Sequence, residues 1–141
     1  MRTVIIGCLL ALLVGVAGCG SGGLSSAVLG SSNSPFAGNF SGTWTDTTTN
    51  HNGTAQMTVA DNGNVTGTIV DSTSNINGAL AGDISSAGVA SISETYTSTS
   101  STTSLTGTFA FATNGQLKGT LQQYNSTKQL VGTPIFTFTK Q

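Results

Sequence analysis

One five-residue pattern returns along most of this chain: an apolar residue, any residue, Gly, Thr or Ala, then a second apolar residue. It stands at Phe40-Ser41-Gly42-Thr43-Trp44, Val65-Thr66-Gly67-Thr68-Ile69, Ile76-Asn77-Gly78-Ala79-Leu80, Leu105-Thr106-Gly107-Thr108-Phe109 and Leu117-Lys118-Gly119-Thr120-Leu121. A weaker copy is Leu130-Val131-Gly132-Thr133-Pro134. Side chains two apart share one face of a strand, so each copy has an apolar face with glycine at its centre and a polar face opposite. The period is two, which predicts half-buried strands, and no segment carries a helical stripe. Two further strands fill the gaps: residues 54–60, with Met57 and Val59 on one face, and residues 89–96, more polar, with Ile92 and Tyr96 in phase. Asp61-Asn62-Gly63-Asn64 and Thr113-Asn114-Gly115 are hairpin signals, because Asn-Gly tolerates positive φ. Ser85-Ser86-Ala87-Gly88 and Tyr124-Asn125-Ser126-Thr127 are weaker ones. Residues 47–52, 71–75 and 97–103 read as longer loops.

Eight consecutive strands with short links predict an all-β fold, an eight-stranded antiparallel up-and-down barrel. Closure removes the two sheet edges that would otherwise template aggregation. A β-sandwich uses the same alternation and is the alternative. An eight-stranded barrel has room for its own side chains or for one small ligand. The inward glycines have two readings: they let the strands coil sharply, or they hollow a pocket. The opposite face, Ser41, Thr43, Thr66, Thr68, Thr106, Thr108, Lys118 and Thr120, belongs in water and not in lipid.

The N-terminus has a different character. Met1-Arg2 is a short positive start, residues 3–16 are an apolar run, and Val16-Ala17-Gly18-Cys19 closes it. The run is shorter than the roughly twenty residues of a membrane-spanning helix and has no basic stop after it. It resembles the signal peptide and lipobox of a bacterial lipoprotein. That resemblance implies cleavage before Cys19, a diacylglycerol on its sulfur, and an anchor whose several acyl chains hardly dissociate, at about 0.8 kcal/mol per buried CH₂. Gly20 follows in place of an aspartate, which in a cell with two membranes implies passage to the outer one. The organisation expected is a signal peptide over 1–18, a lipidated Cys19 with a flexible Ser/Gly-rich tether over 19–38, and a barrel domain over 39–141. A Gly/Ser tether of that length spans roughly 20–25 Å. The two cysteines are Cys8 and Cys19, so the domain itself offers no thiol for a disulfide, a metal or a nucleophile.

Charge is scarce. Once Arg2 is removed, three lysines face four aspartates and one glutamate. Such a chain has no basic patch for nucleic acid. His51 is the only histidine and reads as part of a polar loop. No nucleophile-elbow motif accompanies the many serines. Asp46, Asp61, Asp71, Asp83 and Glu94 mostly border turns, where carboxylates bend and cap the chain. No enzyme and no cofactor is expected beyond the covalent lipid on Cys19. Trp44, Phe109, Phe111, Phe136 and Phe138 fill a core or line a ligand site, and Tyr96 and Tyr124 stand at strand ends near a rim.

Gly42-Thr43-Trp44 resembles the first strand of the avidin family, and Ala60-Asp61-Asn62-Gly63-Asn64-Val65-Thr66-Gly67-Thr68 its second hairpin. Leu130-Val131-Gly132 followed by Phe136-Thr137-Phe138-Thr139-Lys140 resembles its last strand. These segments cover about a third of the domain. Lipocalins share the eight-strand plan and an early Gly-x-Trp, a weaker resemblance. Both imply a barrel. Neither implies tight biotin binding: avidins close over biotin with several tryptophans and this chain has Trp44 alone, with Asp46, Ile69 and Pro134 where the family carries Asn, Tyr and Asp. The expected function is that of a lipid-anchored cell-envelope protein whose non-enzymatic barrel holds a small apolar ligand, with Trp44, Asp46, Met57, Ile69, Phe109 and Leu121 as candidate contacts. The alternative is a surface protein whose Thr-rich outer face contacts envelope protein or carbohydrate.

Overall fold

The computed structural model describes residues 33–141; Cys19, the leader read over 1–18 and most of the tether read over 19–38 lie outside them. The five full copies of the glycine-centred pattern fall on strands, and the weaker copy over 130–134 stays in a strand only as far as Gly132. In chain order the strands are β1 (Gly38–Asp46), β2 (His51–Val59), β3 (Asn64–Asp71), β4 (Ile76–Ile84), β5 (Val89–Tyr96), β6 (Thr102–Phe111), β7 (Leu117–Tyr124), β8 (Leu130–Gly132) and β9 (Ile135–Lys140). Each of β1 to β7 pairs antiparallel with the next. β9 then pairs with β7 through Gly119↔Phe136 and with β1 through Gly42↔Phe138. The ring is closed: the fold is all-β, an eight-stranded antiparallel meander barrel with one extra strand. A single sheet that returns on itself excludes the sandwich.

The extra strand arises because the eighth stave is broken. β8 continues the line of β9 but pairs only with β7, through Gln123↔Gly132 and Tyr124↔Leu130 with a register shift between them. The break falls at Thr133-Pro134. Pro134 has no N–H for a ladder, and the Thr133 N–H donates to Asp46 Oδ2 at 3.2 Å instead of to a strand.

The inward glycines stand where the barrel turns corners. A Cβ on Gly42 would run into the Thr137 carbonyl of β9, one on Gly67 into the Gln56 carbonyl of β2, one on Gly82 into the Ser91 carbonyl of β5, and one on Gly107 into the Thr120 carbonyl of β7. These close approaches occupy every second interface around the ring: β9–β1, β2–β3, β4–β5 and β6–β7. At these four positions neighbouring backbone takes the place of a side chain, as sharp coiling requires, whereas at Gly119 the Phe109 ring does.

The two ends differ. At one, residues 60–63, 85–88 and 112–116 make tight hairpins, with Gly63, Gly88 and Gly115 at positive φ. At the other, the loops 47–50, 72–75, 97–101 and 125–129 carry Asn50, Asn75, Ser100 and Lys128 at positive φ. The glycine-turn end is packed shut. Phe136 and Phe138 stack at 5.8 Å, Phe109 packs against both at 6.2 and 6.1 Å, and Phe36 stacks on Phe111 at 5.6 Å. Phe36 is buried, and the Ser34 N–H donates to the Asp61 carbonyl at 2.7 Å, so the packing reaches back into the segment read as tether.

Overpacking a tight core typically costs 1–3 kcal/mol, occasionally more. Gly42→Ala, which must push two strands apart, is expected to lower unfolding free energy by about 3 kcal/mol. At Gly115 a Cβ meets nothing within 4 Å and only a φ of 77° opposes it. Gly115→Ala is expected to cost about 1 kcal/mol. Urea unfolding of both variants measures the difference; equal costs would contradict the corner role of Gly42.

Candidate functional site at the barrel mouth

At the longer-looped end the inward face changes character. One inward step nearer the mouth than an apolar residue, the same strand carries a polar one: Asp46 beyond Trp44, Asp71 beyond Ile69, Glu94 beyond Ile92, Thr103 beyond Leu105 and Gln123 beyond Leu121. The strand period of two sends these polar side chains into the barrel. Asp46, Asp71 and Glu94 are 3%, 4% and 1% exposed. Together with a lower apolar tier they line a cavity of about 320 Å³ that opens at the mouth. Its apolar tier is Trp44, Ile69, Leu105 and Phe136; its rim includes Thr49, Ser74, Thr99, Ser101 and Val131.

Each buried carboxylate is held by donors from several parts of the chain. Asp46 accepts the Thr48 N–H at 2.8 Å and the Thr133 N–H at 3.2 Å, tying the β1–β2 loop to the broken eighth stave. Gly132 makes room for this carboxylate, because a Cβ there would collide with Asp46 Oδ2. Asp71 accepts the Thr73 and Ser74 N–H groups at 2.9 and 3.1 Å, and its Oδ2 lies 2.7 Å from His51 Nδ1. Glu94 accepts from Tyr96 Oη at 2.6 Å, Thr103 Oγ1 at 2.9 Å and Gln123 Nε2 at 2.7 Å. Three converging donors are the surroundings of a carboxylate that only accepts. Trp44 is fixed as well, its Nε1–H donating to the Val70 carbonyl at 3.2 Å. Among the described residues no buried side-chain N or O lacks a partner, and no three His, Cys, Asp or Glu side chains come together as a metal site.

These contacts set the local electrostatics. Burial alone would push the Asp46 carboxyl up, but the Thr48 and Thr133 N–H groups, with Thr49, outweigh it and hold the group below the ordinary aspartate range. For Asp71 burial is again outweighed, by His51 first and then by Ser74 and Thr73. Burial, with the hydrogen bond to Glu94 and the charges of Glu94 and Asp71, pushes the Tyr96 phenol well above its usual range.

Of the six candidate contacts read from sequence, Trp44, Asp46 and Ile69 line this cavity. Met57, Phe109 and Leu121 are packed inside the barrel at 2%, 3% and 1% exposure and do not line it. Two expectations need correction. His51 is not a loop residue: it opens β2, opposite Asp46 in the ladder, and Asp71 captures its ring. Glu94 does not merely border a turn: it shares the inward phase of Ala90 and Ile92, and partners on β6 and β7 make its burial tolerable. Asp71, Glu94, Thr103 and Gln123 were missed as lining residues, although the phase of each strand already pointed them inward. A shallower groove of about 440 Å³ lies over the outer face of β1 to β3, lined in part by Gln56, Thr58, Thr66, Thr68 and Gln141.

Comparison of the chain with protein-family models, with curated proteins and with solved structures gives no match.

The lowered Asp46 and Asp71 carboxyls make stability depend on acid. As pH falls, an aspartate in the unfolded chain takes up its proton near pH 4, while these two in the fold stay ionised to lower pH. In that window the unfolded chain binds more protons, so stability falls with falling pH. Their contribution is expected to be complete above about pH 5 and lost progressively below about pH 4. Asp46→Asn is expected to flatten this acid limb in urea unfolding followed across pH 2.5–7; an unchanged slope would contradict the assignment. Glu94→Leu leaves the Tyr96, Thr103 and Gln123 donors without their acceptor. It is expected to cost about 3 kcal/mol, against a smaller loss for Glu94→Gln.

Proposed function

We propose that this protein is a lipid-anchored, non-enzymatic binding protein of the cell envelope whose barrel mouth receives one small amphipathic molecule, apolar end inward. The observation that carries this reading is the two-tier cavity, with Trp44, Ile69, Leu105 and Phe136 below and polar groups above. Ligand sites are typically concave, mostly apolar and marked by a few placed polar groups, with volumes from about 300 Å³ upward. A molecule of about fifteen heavy atoms at roughly 0.3 kcal/mol per atom would bind with a submillimolar dissociation constant. A non-enzymatic role is supported by the engagement of the mouth carboxylates as acceptors that hold loops and neighbouring side chains. The anchor is supported by the resemblance of residues 1–19 to a lipoprotein leader ending at Cys19. The described chain enters the barrel at Gly38, at the packed end beside Phe36. A lipid on Cys19 would thus tie down the end opposite the mouth, leaving the mouth toward the aqueous side.

A second reading has its own observation. The outer groove is rich in hydroxyls and amides, among them Thr58, Thr66, Thr68 and Gln56, the chemistry of a surface that meets carbohydrate or protein. It contains no exposed aromatic on which a sugar ring could stack, so the mouth is the stronger site.

Native mass spectrometry of the mature protein purified from its own host, after lipid removal, is expected to show one small molecule per barrel. Trp44→Ala is expected to lose it, and Thr66→Ala on the outer groove to retain it. Retention in the Trp44 variant with loss in the Thr66 variant would move the site to the outer face. Cys19→Ser is expected to shift the protein from the membrane fraction to the soluble one; unchanged fractionation would remove the anchor.

A further inference from the structure

The mouth has a sign. Asp46, Asp71 and Glu94 all stand in its upper tier, and among the described residues neither lysine nor arginine lines it. None of the three lysines of the described residues lines the cavity. Lys118 is on the outward face of β7, Lys128 is in the mouth-end loop 125–129 but exposed and outside the lining, and Lys140 reaches the Ala37 carbonyl at the packed end. Among the described residues His51 is the one lining group able to carry positive charge, and its Nδ1 is committed to Asp71 at 2.7 Å. Below this tier the walls are apolar. A molecule lying along the barrel axis with its apolar part on Trp44, Ile69, Leu105 and Phe136 therefore brings its other end among the carboxylates.

Resting on the reading of the mouth as a binding site, we propose that it selects small amphiphiles with a cationic head: an apolar body carrying an ammonium group, in preference to the matched alcohol or carboxylate. The geometry supplies both halves of that preference. Each carboxylate oxygen holds lone pairs for more than one donor, so an N–H-bearing head can join the existing network without displacing Thr48, Thr73 or Gln123. The donors that hold Asp46 and Asp71 also keep both carboxyls ionised at neutral pH. A carboxylate head would enter a partly water-excluded site next to two negative charges, with no lysine or arginine among the described lining residues to answer it. Like charges brought together there are disfavoured strongly, and unlike ones favoured, because the low dielectric of the interior weakens screening. Trp44 and Tyr96 line the same cavity and offer aromatic surface to a cation within it.

Trp44 is the only tryptophan in the chain, so its emission reports on this cavity alone. The full-length protein is titrated with 2-phenylethylamine, 2-phenylethanol and 3-phenylpropanoate, three probes with the same apolar body and different heads. The amine is expected to bind about tenfold more tightly than the alcohol at low salt, and the carboxylate more weakly than either. The amine's advantage is expected to shrink as added salt shortens the screening length, a measurement on the unmodified chain that needs no variant to fold. Asp46→Asn and Glu94→Gln are each expected to reduce the amine's advantage and to spare the alcohol. Equal binding of all three probes, or a preference for the carboxylate, overturns the charge selection and leaves the binding reading standing. No change in Trp44 emission with any probe overturns both.

Discussion

The barrel depends on backbone coming close to backbone at positions that carry no side chain. Gly42, Gly67, Gly82 and Gly107 each face the carbonyl of a neighbouring strand, at alternate interfaces of the ring. An eight-stranded sheet closes only if its strands coil and tilt enough to bring the first and last together. Here that coiling is concentrated at four corners where a Cβ would force the strands apart. Without it, β1 and β9 would each present an unpaired edge. The polar outer positions Thr43, Thr66, Thr68, Thr106 and Thr120 follow from the same geometry, because closure turns their whole face to water.

Closure also decides where the space falls. Phenylalanines crowd the glycine-turn end, where Phe36, Phe40, Phe109, Phe111, Phe136 and Phe138 make a connected aromatic cluster. Of the aromatic residues, Trp44, Tyr96 and Phe136 line the mouth cavity, and shorter polar side chains leave it open. Buried carboxylates are costly unless hydrogen-bonded. At the mouth they are affordable because the loops turn their N–H groups inward: Thr48, Thr73, Ser74 and Thr133 all donate to them. The same contacts fix loops that already hold Asn50 and Asn75 at positive φ. A rigid polar collar over an apolar tier is the result, and the proposed binding role grows from that collar.

Much of this was legible in the sequence because strand periodicity is a local property. The glycine-centred repeats and the Asn-Gly turns located the strands, and their number and short links pointed to a meander that closes. What the repeats could not give was depth. Met57, Phe109 and Leu121 share the inward phase of Trp44 and Ile69, but which of these lie near the mouth depends on strand direction and on the tilt of the barrel. Glu94 was misjudged because burying a carboxylate needs partners, and Thr103 and Gln123 lie on strands nine and twenty-nine residues away. His51 was misjudged because its polar neighbours look like a loop, while the Asp46↔His51 pair that extends the ladder is not visible one strand at a time. The broken eighth stave had one local sign, Pro134, whose missing N–H ends β8 and frees the Thr133 N–H for Asp46.

The most direct test is NMR measurement of cross-strand Hα contacts in the full-length protein. The account predicts simultaneous contacts for Met57–Gly67, Gly82–Ile92 and Gly107–Leu121, and for Gly42–Phe138, the pair that joins the first strand to the last. Contacts at the first three with none between Gly42 and Phe138 would mean an open sheet, and with it the loss of the enclosed mouth.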